Sequence, residues 1–194
     1  MINWIKQLSF LLHITGSRGI ARRYVVVNGF DGALTMLGLI IGFHTSGETS
    51  ATVAVSVCLG AAIALSVSGV SSAYLSEAAE RRKALRELEK AMIVTLETSA
   101  HGRASRLVPI MIALVNGLSP LLISVLITLP LWLASQQIPL PVDPMNASIG
   151  MAFVLIFLLG TYLGKIEHGF WLWSGIRAVL IAVITSALII ALER

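Results

Sequence analysis

The sequence has few charged residues, a single cysteine and no recognisable catalytic motif. Charged residues make up 12% of the 194 residues, whereas 56% are hydrophobic; a soluble domain has roughly 25% charged residues. Because Cys58 is the only cysteine, disulfides and thiolate metal clusters are excluded. The chain lacks a nucleophile motif, a phosphate-binding loop and a paired-histidine signature, so we expect no enzymatic activity.

Five apolar stretches are long enough to cross a bilayer, for which a helix needs about 20 residues. The sequence therefore predicts an all-α polytopic membrane protein, with one transmembrane bundle over residues 21–194. The predicted spans are residues 24–44, 51–73, 107–133, 147–163 and 170–192. No small-residue cleavage motif follows the first apolar residues, so we expect no cleaved signal peptide.

Two segments outside these spans are predicted to be helical. Residues 1–20 carry apolar side chains at helical spacing over a stretch too short to span, which is typical of an amphipathic helix at the membrane surface. Residues 74–106 form an insertion in which the second span continues, highly charged and without Gly or Pro, to about Glu97. We expect this helix to project into the cytoplasm and to end at His101-Gly102.

Basic residues flank the spans on alternate sides. Lysines and arginines precede the first span and fill the connection between the second and third spans, but the connections around 46–49 and 136–146 contain none. The positive-inside rule then predicts a cytoplasmic N-terminus and an outside C-terminus. The same rule explains the net charge of +4, so we expect no nucleic-acid partner. The expected location is the cell membrane of a prokaryote, or a vacuole-like membrane in a eukaryote.

One carboxylate, that of Asp31, lies inside the first span, where a charge costs several kcal/mol. On a helix, Asn28, Asp31 and Thr35 share one stripe and offer three oxygen groups. Oxygen ligands suit hard or borderline divalent cations, and a carboxylate also carries a proton. The alternative interpretation is a buried ion pair between Asp31 and Arg177 of the fifth span.

Three glutamates of the insertion, Glu77, Glu80 and Glu87, fall on one side of a helix. Clustered carboxylates could collect cations before they enter the membrane. Each glutamate is also followed three or four residues later by a lysine or arginine, and this spacing is typical of a salt-bridged, solvated helix. The sequence leaves both interpretations open.

Further polar and small residues lie at membrane depth. Asn116 in the third span either lines a pathway or joins helices by hydrogen bonds. Gly38 and Gly42 in the first span, and Gly160 and Gly164 in the fourth, form two GxxxG pairs. Each pair indicates either close packing inside the bundle or a dimer interface.

Taken together, these motifs resemble the vacuolar iron transporter family over most of the chain from about Arg22. The resemblance rests on the order of motifs and on the five-span layout. The residues that carry it are Asp31-Gly32, Thr35, Gly38 and Gly42 in the first span, the small-residue second span leading through Tyr74-Leu75-Ser76 into a charged helix, Gly117 and Pro120 in the third span, and Arg177 in the fifth.

The resemblance implies a homodimer whose cation pathway lies between the two first spans, and export of a divalent metal from the cytoplasm in exchange for protons. Asp31 matches the pathway carboxylate of the family. Two positions depart from the family pattern, since Gly69 stands where a methionine is common and Ala73 where a glutamate is frequent. The cytoplasmic metal-binding region is also shortened. Without the soft sulfur ligand, a harder ion such as manganese is favoured over iron.

The sequence thus predicts a proton-coupled transporter of iron or manganese. Asp31 is the expected ligand and proton carrier, and Asn28, Thr35 and Asn116 are the expected neutral oxygen ligands. The expected partners are metal ions, protons, the lipid bilayer and a second copy of the chain, and we expect no bound cofactor. The alternatives are a membrane interaction or scaffold protein with Asp31 paired to Arg177, and a passive cation pore.

Overall fold

The computed structural model describes residues 17–47, 50–166 and 170–192, and these residues form five helices and no strand. The helices are α1 (Ser17–Ser46), α2 (Ala51–Met92), α3 (Ala100–Ser135), α4 (Pro144–Ile166) and α5 (Trp171–Leu192). All five are long and apolar enough to cross a membrane. The predicted class, an all-α multi-pass membrane protein, is confirmed. The predicted surface helix falls mainly on residues 1–16, which lie outside the described residues.

Helix α1 is the centre of the bundle and packs against each of the other four helices. Its side chains Met36, Leu37 and Ile40 are completely buried, in a core to which every helix contributes. Large apolar side chains on the outside of the bundle stay exposed, among them Ile63 and Leu180. An apolar outer surface of this kind is what a lipid bilayer requires, since lipid rather than water is its solvent.

Helix α2 packs mainly along α3 and extends beyond its apolar part, as predicted, but it ends at Met92 rather than near Glu97. Ile93 then takes a left-handed conformation, with φ of 54°. His101 and Gly102 do not end this helix and instead lie in the first turn of α3.

The turn that joins α2 to α3 explains why Gly102 begins α3 and does not end α2. The Ser99 hydroxyl accepts the Gly102 N–H at 3.2 Å and so caps α3. A Cβ on Gly102 would lie 2.4 Å from the carbonyl oxygen of Glu97. This glycine therefore allows the turn to pack against the start of α3. The insertion 74–106 consists of the end of α2, this turn and the beginning of α3.

Helices α4 and α5 cross at very short range because glycines remove side chains from their contact. A Cβ on Gly160 would lie 2.6 Å from the Ala178 Cβ, and one on Gly164 would lie 2.8 Å from the Trp171 Cα. Gly175 on the opposite helix approaches α4 equally closely. The Gly160–Gly164 pair thus makes a close helix contact inside one chain.

Helix α3 contains three prolines, Pro109, Pro120 and Pro130, all of them buried. A proline has no N–H and leaves the carbonyl four residues earlier without its helical hydrogen bond. Membrane helices tolerate this loss where neighbouring helices and side chains compensate. For Pro120 the affected carbonyl is that of Asn116, which belongs to the polar region described below.

Candidate functional site

Asp31 lies near the middle of α1 and on its outer side. The buried side of this helix is formed by Val26, Gly29, Ala33, Met36, Leu37 and Ile40. At 100° per residue, Asp31 points away from the centre of that buried side, and it is exposed on the single chain. The candidate carboxylate is therefore directed out of the bundle and away from its core.

The part of the chain that the structure describes provides neither a hydrogen bond nor an ion pair to the Asp31 carboxylate. A carboxylate at such a position is costly in lipid, by several kcal/mol. Its charge has to be neutralised by a proton or a cation, or its side of α1 has to be covered by another surface. Both possibilities are relevant to function.

Arg177, the predicted alternative partner, is not paired with Asp31 in the described chain. Its guanidinium lies 5.8 Å from the centre of the Trp173 ring, which is a cation–π contact within α5. Both Asp31 and Arg177 are exposed. The geometry therefore gives no support to a buried Asp31–Arg177 ion pair.

Helix α5 covers the outer side of α1 only farther along the span. Gly38 lies two turns beyond Asp31 on the same side of α1, and an ideal Cβ at Gly38 would lie 3.3 Å from Cδ1 of Ile189. At the level of Asp31 this side of α1 is exposed instead. Gly38 thus marks the point at which α5 closes over α1.

Two asparagines, each predicted from the sequence as a neutral oxygen ligand, are joined by a hydrogen bond in the structure. The Asn28 side-chain N–H₂ donates to the Tyr24 carbonyl at 3.0 Å and to the Asn116 amide oxygen at 2.5 Å. The Asn116 N–H₂ donates in turn to the Gly69 carbonyl at 2.7 Å. This chain of hydrogen bonds joins α1, α3 and α2. Because both N–H groups of Asn28 donate, its amide oxygen remains an acceptor.

A close approach of α1 to α3 occurs at the same level of the bundle. The Ser119 hydroxyl donates to the Val25 carbonyl at 2.6 Å. A Cβ on Gly32 would lie 2.8 Å from the Pro120 carbonyl oxygen and 3.1 Å from the Ser124 hydroxyl oxygen. Gly32, the residue after Asp31, is thus fixed against α3, which holds the backbone that carries the carboxylate.

Gly69 has a specific structural role at this site. A Cβ there would lie 3.2 Å from both the Asn116 carbonyl oxygen and the Gly117 Cα. The glycine lets α2 approach α3 closely enough for its carbonyl to accept the Asn116 N–H₂ group. A larger residue at this position would press against α3, because its Cβ alone would be in tight contact with backbone atoms of that helix. Ala73, one turn farther along, is buried as well.

The donor set available at this site is one carboxylate and several neutral oxygens. Thr35 lies half-buried one turn beyond Asp31. No group of three or more His, Cys, Asp or Glu side chains that could hold a metal ion occurs among the described residues. One chain therefore offers Asp31, the Asn28 amide oxygen and the Thr35 hydroxyl, and does not enclose a complete metal cage.

The three glutamates of the α2 extension, residues 74–92, differ from one another in their surroundings. Glu77 is buried, and its carboxylate lies 3.5 Å from the Arg81 guanidinium. Glu80 and Glu87 are exposed. For Glu77 the salt-bridge interpretation thus describes the observed geometry, while the role of Glu80 and Glu87 in cation collection stays a prediction.

Comparison with known proteins gives a relative of matching length. An uncharacterized protein of Methanocaldococcus jannaschii is 29% identical over 189 residues, which cover 96% of this chain and 94% of the relative. The similarity thus includes all five spans. No family model matches the chain. No solved structure matches it either.

Several residues that shape this site were not singled out from the sequence. Ser119 and Ser124 are buried on α3 facing α1, and the Ser124 hydroxyl oxygen has no hydrogen-bond partner among the described residues. Gly69 was noted only for the methionine it replaces. The signal available in the sequence was the polar and small character of the Asn116–Ser124 stretch at membrane depth, which matches that of Asn28–Gly32.

Proposed function

We propose that the protein is a proton-coupled transporter of a divalent metal, iron or manganese, with Asp31 as the group that binds metal and proton in turn. The observation that carries the proposal is the position of this carboxylate, in the middle of a membrane span, directed outward and without an ion-pair partner in the described chain. Ionisable residues inside spans usually mark ion or proton pathways. An unpaired carboxylate supports that role better than a paired one.

Metal and proton compete for the same oxygen atoms in this mechanism. A metal ion binds only the deprotonated carboxylate, so binding of the metal releases a proton and protonation releases the metal. The Asn28 amide oxygen and the Thr35 hydroxyl are neutral ligands on the same stripe of α1. The Asn116 amide oxygen already accepts a hydrogen bond from Asn28. In this proposal Asn116 therefore positions Asn28.

A second copy of the chain completes the pathway. The Asp31 side of α1 is exposed on one chain, and a bare carboxylate facing lipid is unfavourable. A symmetric dimer that pairs this surface with its own copy brings two carboxylates together and shields both. Two Asp31 carboxylates with their neighbouring amide and hydroxyl oxygens form an oxygen-rich site suited to manganese or ferrous iron.

The proposal is tested by metal uptake into proteoliposomes with an imposed pH gradient. We expect the unaltered protein to transport Mn²⁺ or Fe²⁺ and the Asp31→Asn variant to lose this flux, because the amide cannot exchange a proton for a metal. Asp143→Asn is the matched control. Asp143 is exposed and accepts the Asn146 N–H at the start of α4, a capping role that asparagine also fills.

The control variant should transport at the unaltered rate. If Asp31→Asn moved both metals as fast as Asp143→Asn, the carboxylate would not be part of the pathway and the proposal would be wrong. Flux that persists at equal rate without any pH gradient or proton movement would instead indicate a passive pore.

A membrane interaction protein is the second candidate, and the exposed, charged extension of α2 favours it. Arg82, Lys83 and Arg86 are all exposed on this extension, as a docking surface would require. This candidate predicts no metal flux for the unaltered protein under any gradient, so the same liposome measurement separates the two functions.

A further inference from the structure

A cleft of about 370 Å³ lies between the α2 extension and the beginning of α3. Three arginines line it: Arg82 and Arg86 from α2 and Arg106 from α3. The Tyr74 phenol and the Ser105 side chain also line the cleft. Two helices therefore bring three arginines and a tyrosine around one space.

Within the part of the chain that the structure describes, none of these three arginines pairs with a carboxylate. On this surface the Arg81 guanidinium pairs with the carboxylate of Glu77, one turn earlier on α2. Arg82, Arg86 and Arg106 are exposed and form no ion pair within the described residues. Guanidinium groups form strong paired hydrogen bonds with phosphate oxygens, so a phosphate group is the ligand that this lining suits.

Two carboxylates also line the cleft, those of Glu89 and Glu97. Glu89 has a structural role, since its carboxylate accepts the Leu96 N–H at 2.8 Å and holds the turn after α2. Glu97 is exposed in that turn. The three arginines outnumber these two carboxylates, so the cleft carries a net positive charge.

The cleft lies where the apolar parts of α2 and α3 adjoin their charged parts. Tyr74 follows the apolar part of α2, while Arg106 and Pro109 stand at the beginning of the apolar part of α3. Tyrosine is typical of the boundary between membrane and water. Leu75 and Ile110, which follow Tyr74 and Pro109 in the chain, have 69% and 46% of their surface exposed. Exposed apolar side chains suited to acyl chains thus directly follow two of the residues that line the cleft.

We propose that this cleft binds the phosphate headgroup of an anionic lipid from the leaflet on the predicted cytoplasmic side. The arginines bind the phosphate oxygens, Tyr74 contributes its hydroxyl group, and the acyl chains lie along the exposed apolar side chains. Basic pockets between membrane helices on this side are suited to lipid headgroups. The bound lipid links α2 to α3 and so holds the α2 extension against the bundle.

The full chain, purified in a neutral detergent, tests this by its thermal unfolding midpoint during titration with phosphatidylglycerol. We expect a saturable rise in the midpoint, because a ligand that binds only the folded state stabilises it. Phosphatidylcholine with the same acyl chains should produce no saturable rise. Arg106→Gln and Arg86→Gln should each raise the half-saturating lipid concentration about tenfold, because each removes one hydrogen-bonded charge.

Arg103→Gln is the matched control, because Arg103 is exposed on the same helix as Arg106 and does not line the cleft. It should leave the titration unchanged. An equal loss in Arg103→Gln and Arg106→Gln would mean a general attraction to negative lipids and would overturn the proposal. Saturation by glycerol phosphate at the same concentration as by the lipid would identify a soluble phosphate compound as the ligand and would also overturn it.

Discussion

Asn116 provides the most quantitative test of the polar region that joins three helices. Replacement by alanine removes two hydrogen bonds between helices, one donated to the Gly69 carbonyl at 2.7 Å and one accepted from Asn28. Hydrogen bonds between membrane helices contribute about 0.6 kcal/mol each on average and up to about 1.7 kcal/mol. We therefore expect Asn116→Ala to lower the free energy of unfolding by about 1–3 kcal/mol.

The measurement is reversible unfolding in mixed micelles of a mild detergent and dodecyl sulfate. Asn146→Ala is the matched control, because the Asn146 side chain is exposed at the start of α4. Its effect should stay within about 0.5 kcal/mol of zero, as for most surface substitutions. If the two variants unfolded with the same free energy, the hydrogen bonds of Asn116 would not stabilise the bundle.

A double-mutant cycle separates the Asn28–Asn116 contact from the rest. In the Asn116→Ala variant Asn28 has already lost its bond to Asn116 and keeps only the one to the Tyr24 carbonyl. The second substitution, Asn28→Ala, should therefore cost less in that background than in the unaltered chain. Residues in direct contact show coupling of about 0.5–3 kcal/mol. Strict additivity would contradict the direct bond.

The glycines at helix contacts give two more predictions. Gly117→Ala should destabilise the bundle by about 1–3 kcal/mol, because its Cβ would lie 2.3 Å from Val70 Cγ2; a melting midpoint at or above that of the unaltered protein would contradict this. Gly160→Val should destabilise the bundle at least as much, because its side chain would collide with Ala178. Since this contact lies within one chain, gel filtration should show an unchanged oligomeric state. Gly150→Ala and Gly150→Val are the controls, since Gly150 has open space around it.

Hydropathy and charge were sufficient to predict the five membrane helices. The apolar stretches are long enough to cross a bilayer, and all five appear as helices. The end of α2 was predicted too late because the prediction relied on Gly102 as a helix terminator. In the structure this glycine serves a close contact with the turn, and Ile93 ends α2 in a conformation that β-branched residues rarely adopt.

For the candidate site, the sequence indicated individual residues but not how they are arranged. Helical spacing put Asn28, Asp31 and Thr35 on one stripe of α1. Which side of α1 faces the core depends on packing against the other helices, and that packing directs Asp31 outward. The contact between Asn28 and Asn116 joins residues 88 positions apart, a separation over which helical periodicity carries no information. The role of Gly69 could not be predicted, because its carbonyl meets Asn116 only in the folded bundle.

Exchange of metal for protons at Asp31 is tested most directly by proton movement inside proteoliposomes that hold a pH-sensitive dye. With no pH gradient imposed, addition of Mn²⁺ outside should make the interior alkaline as protons leave in exchange for the metal. The Asp31→Asn variant should show neither the metal uptake nor the pH change, and Asp143→Asn should show both. Metal uptake without proton movement in the unaltered protein, or an unchanged response in Asp31→Asn, would contradict the mechanism.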